Sequence, residues 1–272
     1  MAKAVYVERW SLAHRLQHAL LALAMIDLII TGMAMKYSYA AWSARVFPLL
    51  GGFRSTLIIH KFGATLVGVS VIFHVIYLLM YRRRHGPQKW QIMWNRKDFT
   101  DAIAHGAHLL GLRERPPQYG RYSYLEKFEY LSIFWGMVVM GGSGLAIWFP
   151  ALAAQWAPRW LLDGLRVIHS NEAFVAMLAL AFGHFFVAHF NPLVFPSSPV
   201  WYSGKISAAH LREEHPLEYQ QLVEAGKLPA GAAPEHPHVL AGWRRVLGVV
   251  EMLIYSAIFY GLLITFIPLL LV

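Results

Sequence analysis

Residues 55–81 read STLIIHKFGATLVGVSVIFHVIYLLMY, and only Lys61 among them carries a formal charge. A stretch this long and this apolar reads as a membrane span, because about 20 residues rising ~1.5 Å each cross the ~30 Å hydrocarbon core. Lipid offers no partner to backbone N–H and C=O groups, so the span must be helical. Two histidines, His60 and His74, interrupt it. At about 100° per residue they lie within about 40° of one helix face, ~21 Å apart along the axis. Ionisable side chains are costly inside a bilayer and mark a pathway or a bound group.

Working outward, four further stretches share this character: 12–34, 126–149, 166–190 and 243–271. Across 272 residues, 57% are hydrophobic and 14% charged, where a soluble domain carries about a quarter charged residues. The expected fold class is all-α, a polytopic membrane helical bundle with a four-helix core plus a fifth transmembrane helix. The expected organisation is a core domain over 1–191, a cytoplasmic loop segment over 192–242 and the fifth helix over 243–272. The first span is not expected to be a cleaved signal, since it carries His14, Arg15, His18 and Asp27 and no small-residue cleavage site follows. Short soluble helices are expected over 97–112 and 207–225.

Lys and Arg number 24 against 15 Asp and Glu, a net charge of +9. The excess concentrates between the second and third spans, where residues 82–125 hold nine basic residues. That pattern is the positive-inside signature of cytoplasmic loops rather than a nucleic-acid surface. It predicts a cytoplasmic N-terminus and, after five spans, a C-terminus on the outer side. Trp42, Trp148, Trp156, Trp160 and Trp243 fall near span ends, as an interfacial belt would. There is no cysteine, which excludes disulfides, thiolate metal sites, cysteine-ligated iron–sulfur clusters and covalent c-type haem within this chain. No nicotinamide- or flavin-binding segment is present, so a self-contained reductase is not expected.

Histidine is abundant, with 14 copies. His18, His60, His74, His169 and His184 fall inside the spans, and His189 lies near the cytoplasmic end of the fourth. A lone histidine in a span is usually a neutral side chain hydrogen-bonded to its neighbour; six at ordered depths ask for more. His169 and His184 are within about 60° of one face and ~22 Å apart. With the orientation above, His60 and His169 share an outer level, while His18, His74 and His184 share an inner one. Two levels of imidazole pairs ~20 Å apart suit two stacked haems held between helices. Zinc would prefer cysteine or three clustered ligands. A proton relay would need carboxylates along the path, for which Asp27, Glu172 and Glu251 are the candidates. Gly63, Gly68 and the run Gly141-Gly142-Ser143-Gly144 allow close approach of a flat macrocycle or of another helix. Arg15, Arg82 and Arg83 on one side, and Lys61, Arg54 and Arg166 on the other, could meet haem propionates or serve as interfacial charges.

The ordered set of motifs resembles the membrane cytochrome b subunits of respiratory enzymes: the formate dehydrogenase gamma subunit, the nickel hydrogenase cytochrome b and the thiosulfate-reductase-type cytochrome b. The matching pieces are Arg15-x-x-His18 with Thr31-Gly32, His60 with Phe62-Gly63, and Phe73-His74. They continue with Trp135-Gly136-Met137, Gly141 to Trp148, His169-Ser170-x-Glu172 and His184-Phe185-Phe186-x-x-His189. The last are Pro192-x-x-Phe195-Pro196 and His215-Pro216-x-Glu218-Tyr219. By the gamma-subunit pattern, the resemblance implies His18 with His184 for the inner haem and His60 with His169 for the outer one. The two-helix pattern of the quinol–cytochrome c complexes would instead pair His74 with His184. A third haem could use the spare histidines, His189 among them. The resemblance implies haem b as cofactor, two copies or three, with quinone as substrate. The expected function is an electron-transfer subunit of a quinone-linked oxidoreductase complex, moving electrons across the bilayer to or from an iron–sulfur or multihaem cytochrome subunit. His14, Arg82, His85 and Asn95 are the candidate hydrogen-bond partners of a quinone. The alternative is a membrane transporter or scaffold that uses its histidines for metal or proton passage.

Overall fold

The computed structural model describes residues 5–85, 91–190, 194–195, 197–229, 231 and 243–270, with no side-chain description at 82, 84, 85, 243–245, 262–264 and 266–270. Of the whole, 76% is helical, as an all-α class requires. Among the described residues, four helical spans are long and apolar enough to cross a membrane: α1 (Leu12–Lys36), α3 (Phe53–His85), α5 (Tyr124–Trp148) and the span that α7 (Arg159–Leu178) opens. A short helix, α2 (Ala41–Leu49), links the first two. Beyond α7 the span continues to Phe190 as two π-helical stretches, Ala179–His184 and Phe186–Phe190. The fifth expected span is α11 (Trp243–Leu270), 28 residues long.

The chain divides into two compact units. The larger takes residues 14–76, 135–198 and 240–272 and contains most of the helical spans. Within it, α11 runs alongside the other helices, as two contacts far apart on it demonstrate. Near its start, Glu251 bonds His189 at the end of the fourth span (2.8 Å). Near its far end, the Trp42 indole N–H donates to Thr265 Oγ1 (2.7 Å), beyond the end of α1. Fourteen residues between these contacts cover ~21 Å of helix, so α11 runs parallel to α1. Lys36 adds a tie between α1 and α7 by donating to Ser170 Oγ (2.6 Å) and Asn171 Oδ1 (2.9 Å).

The smaller unit draws on residues 1–13, 77–134 and 199–239. Here β1 (Tyr6–Glu8) pairs antiparallel with β2 (Lys205–Ser207). The expected helix over 207–225 is two helices, α9 (Ala208–Glu214) and α10 (Pro216–Glu224). Pro216 causes the break: it lacks an N–H and drives the preceding residue out of helical geometry, and His215 has φ −130 and ψ 61. The carboxylate of Glu218 is shared by the guanidinium groups of Arg9 and Arg121. His215 accepts from Arg9 Nη2 (2.9 Å) and donates from Nδ1 to the Gly120 carbonyl (2.8 Å). The helix expected over 97–112 is α4 (Arg96–Leu109). Its buried Asp98 forms an ion pair with Lys127 on α5 (2.9 Å).

Candidate site in the membrane bundle

All six histidines singled out in the spans lie in the larger unit. Two of them face each other directly: the rings of His18 on α1 and His184 on the fourth span have centroids 6.1 Å apart, tilted by 51°. A metal bound to one nitrogen of each ring at ~2.0–2.1 Å would set the centroids about 6.4 Å apart. The centroid separation of the two rings is thus compatible with one metal ion held between them. His184 closes the first π stretch. A π turn adds about one residue to the helical repeat, which reorients everything after it and recurs at functional positions.

About 13 residues along α1 from His18, ~20 Å away, lies a second arrangement. Thr31 Oγ1 is 2.9 Å from Nδ1 of His60 and donates its own proton to the Asp27 carbonyl (2.7 Å). A hydroxyl has one proton to give, so Thr31 accepts from Nδ1–H of His60. That leaves Nε2 of His60 as the unprotonated nitrogen, the form a metal requires. On α5, Ser143 Oγ donates to the Val139 carbonyl (2.6 Å) and accepts from Nδ1 of His169 on α7 (3.0 Å). The same device thus occurs twice, and His60 and His169 lie within electrostatic range of each other.

Glycine completes each device. A Cβ on Gly32 would stand 3.2 Å from Cε1 of His60, and one on Gly144 3.0 Å from Cε1 of His169. The absence of a side chain lets each imidazole lie against the neighbouring helix. Other glycines read as sites of close approach do not share this role. A Cβ at Gly68, Gly141 or Gly142 would meet nothing within 4 Å, and one at Gly63 would collide with the Asp27 carboxylate.

The remaining candidates are held differently. His74 Nδ1 is 2.8 Å from Gln17 Oε1 on α1. His189 bonds Glu251 and stacks on Phe185 with ring centroids 4.2 Å apart. His14 precedes His18 by one turn of α1. Asn95 belongs to the smaller unit, where its side chain caps α4 by accepting from Lys97 N (2.8 Å). The side chains of Arg82 and His85 lie outside the described residues. Lys61 lies over the Trp148 ring at 5.2 Å, as an interfacial cation does. Among the described residues, no group of three or more His, Cys, Asp or Glu is placed to hold a metal ion. Sequence reading passed over two participants, Ser143 and Gln17. Ser143 sat in plain view within a glycine run whose small residues drew attention away from its hydroxyl.

Residues 9–199 match the family described as prokaryotic cytochrome b561. No curated protein matches the chain.

Proposed function

The chain belongs to the prokaryotic cytochrome b561 family, and from that premise we propose that it is the membrane subunit of a respiratory redox complex. Membership makes it a multi-pass membrane cytochrome that takes haem b and transfers electrons. The proposed route runs across the bilayer between a quinone pool and a partner redox subunit. A partner is needed because a chain without cysteine cannot hold an iron–sulfur or covalent c-type relay of its own.

The observation that carries the reading is the facing pair His18 and His184 at 6.1 Å. We assign these two residues to one haem and His60 with His169 to the other. Bound haem would supply one-electron redox chemistry, and the chain supplies ligation, spacing and burial, which set the potential. Thr31 and Ser143 fix the tautomer and the ring orientation of the second pair. Gly32 and Gly144 give those rings room. His74 and His189 are not assigned to a haem, because the ring that faces His184 is that of His18, so the proposed count is two haems. The haem-binding portion is residues 1–191, with α11 added to it. The N-terminus is assigned to the cytoplasm and, with α11 parallel to α1, the C-terminus to the periplasm of the inner membrane.

Haem per polypeptide, measured as pyridine haemochrome on the purified chain, tests the reading. Two haems with b-type bands reducible by dithionite and by a quinol are expected. A colourless preparation would end it, and reduction by dithionite alone would end the quinone link.

A further inference from the structure

One polar pair in the membrane bundle lies outside the two haem pairs assigned above. His189 Nδ1 and Glu251 Oε1 are 2.8 Å apart, joining the fourth span to α11. Glu251 is 4% exposed, yet its second oxygen, Oε2, has no hydrogen-bond partner among the described residues. A buried carboxylate oxygen left without a partner is expensive, and it persists in a fold mainly where something is meant to reach it. Both groups are ionisable and stand in a span, which points to use rather than to packing.

The surroundings narrow the chemistry. The pair sits among flat rings: Phe185 stacks on His189, and Phe190 packs on Tyr255, one turn beyond Glu251, at 4.9 Å. Tyr255 in turn belongs to an open, largely apolar surface of α11, together with Ser256, Ala257, Phe259 and Tyr260. A ligand for this place must donate a hydrogen bond to a carboxylate oxygen, present a ring to aromatic neighbours and carry an apolar tail. A quinol meets all three conditions.

We propose that His189 and Glu251 form the quinol-binding site, with one quinol hydroxyl donating to Glu251 Oε2 and the isoprenoid tail lying along the apolar surface of α11 at Tyr255. This rests on the quinone-linked reading above and moves its site away from His14, Arg82, His85 and Asn95. His189 holds Oε1 and so aims Oε2. His189 lies five residues past His184, so the site adjoins the His18–His184 pair in the chain. Glu251 lies outside the residues that match the family, 9–199, so the fifth helix adds a recognition group to a shared core.

The test uses the purified haem-loaded chain, with menadiol and a decyl-tailed benzoquinol as reductants. Glu251→Gln removes the acceptor charge and should raise the quinol KM roughly tenfold or more, since a hydrogen bond to a charged group is lost. Haem content and the dithionite-reduced spectrum should be unchanged. His189→Leu, which leaves Glu251 without its orienting partner, should act in the same direction. Wild-type quinol kinetics in Glu251→Gln would overturn the site while leaving the quinone-linked reading intact. Failure of the wild-type chain to accept electrons from either quinol would overturn both. Loss of haem in both variants would make the pair a strut between helices and overturn the site.

Discussion

The hydroxyl of Thr31 holds Nδ1 of His60 at 2.9 Å. Ser143 stands in the same relation to His169, at 3.0 Å. Each hydroxyl spends its proton on a carbonyl four residues back, so each is obliged to accept from the imidazole. Thr31→Val keeps the shape and removes the acceptor. The expected outcome is a haem affinity at the His60–His169 level weakened roughly tenfold, with the other spectral component unchanged. A potentiometric titration with haem quantitation checks this, and unchanged occupancy in both Thr31→Val and Ser143→Ala would contradict it.

The glycines next to these hydroxyls make a sharper test. In Gly144→Ala the new carbon would stand 3.0 Å from Cε1 of His169, tighter than side chains tolerate, so the ring must move. Gly68→Ala is the control, because nothing lies within 4 Å there. Reduced spectra should lose or broaden one component in Gly144→Ala and none in Gly68→Ala. Equal spectra would show that the ring has room to spare.

At the other level the facing pair decides between ligand sets. His184→Ala and His18→Ala should each abolish the same haem, while His74→Ala should retain both haems, because the ring that faces His184 is that of His18. Haemochrome assays of the three variants read this out. A haem lost in His74→Ala and kept in His18→Ala would transfer ligation to the two-helix pattern.

How far the sequence could be read follows from what periodicity encodes. The spans were legible because apolar runs of more than 20 residues leave no other solution. His60 and His169 were legible as a level because a straight α-helix converts spacing into depth. The choice between His18 and His74 was not, since both lie at similar depth and only the packing of α1 decides which ring faces His184. The π turns before and after His184 were equally hidden: no proline marks them, and they arise from packing rather than from local propensity. The motif His215-Pro216-x-Glu218 was visible, but its partners Arg9 and Arg121 are far away in the chain, and pairings of that range leave no periodic trace.

That motif carries a pH dependence. Burial, and then the Arg9 guanidinium, hold the His215 pKa below its ordinary value of 6.5. The neutral ring is bound on both nitrogens. A base whose folded pKa is depressed contributes stability that is complete above about 6.5 and is lost as pH falls below it. Limited proteolysis of residues 199–229 should therefore accelerate from pH 7.5 to 5.5. In His215→Gln, which cannot take up the proton, the rate should vary little with pH. The same acceleration in the variant would remove His215 as the cause.

The pairing of β1 with β2 has a consequence for synthesis on the ribosome. Tyr6 to Glu8 emerge before their partners Lys205 to Ser207, which follow about 200 residues later, a delay of about 10–40 s at ordinary elongation rates. During that interval four spans must enter the translocon while the opening strand has nothing to pair with and Arg9 has no Glu218 to hold. Closing this clasp thus waits until the four spans between its two halves have been made, and it fastens together segments made about 10–40 s apart.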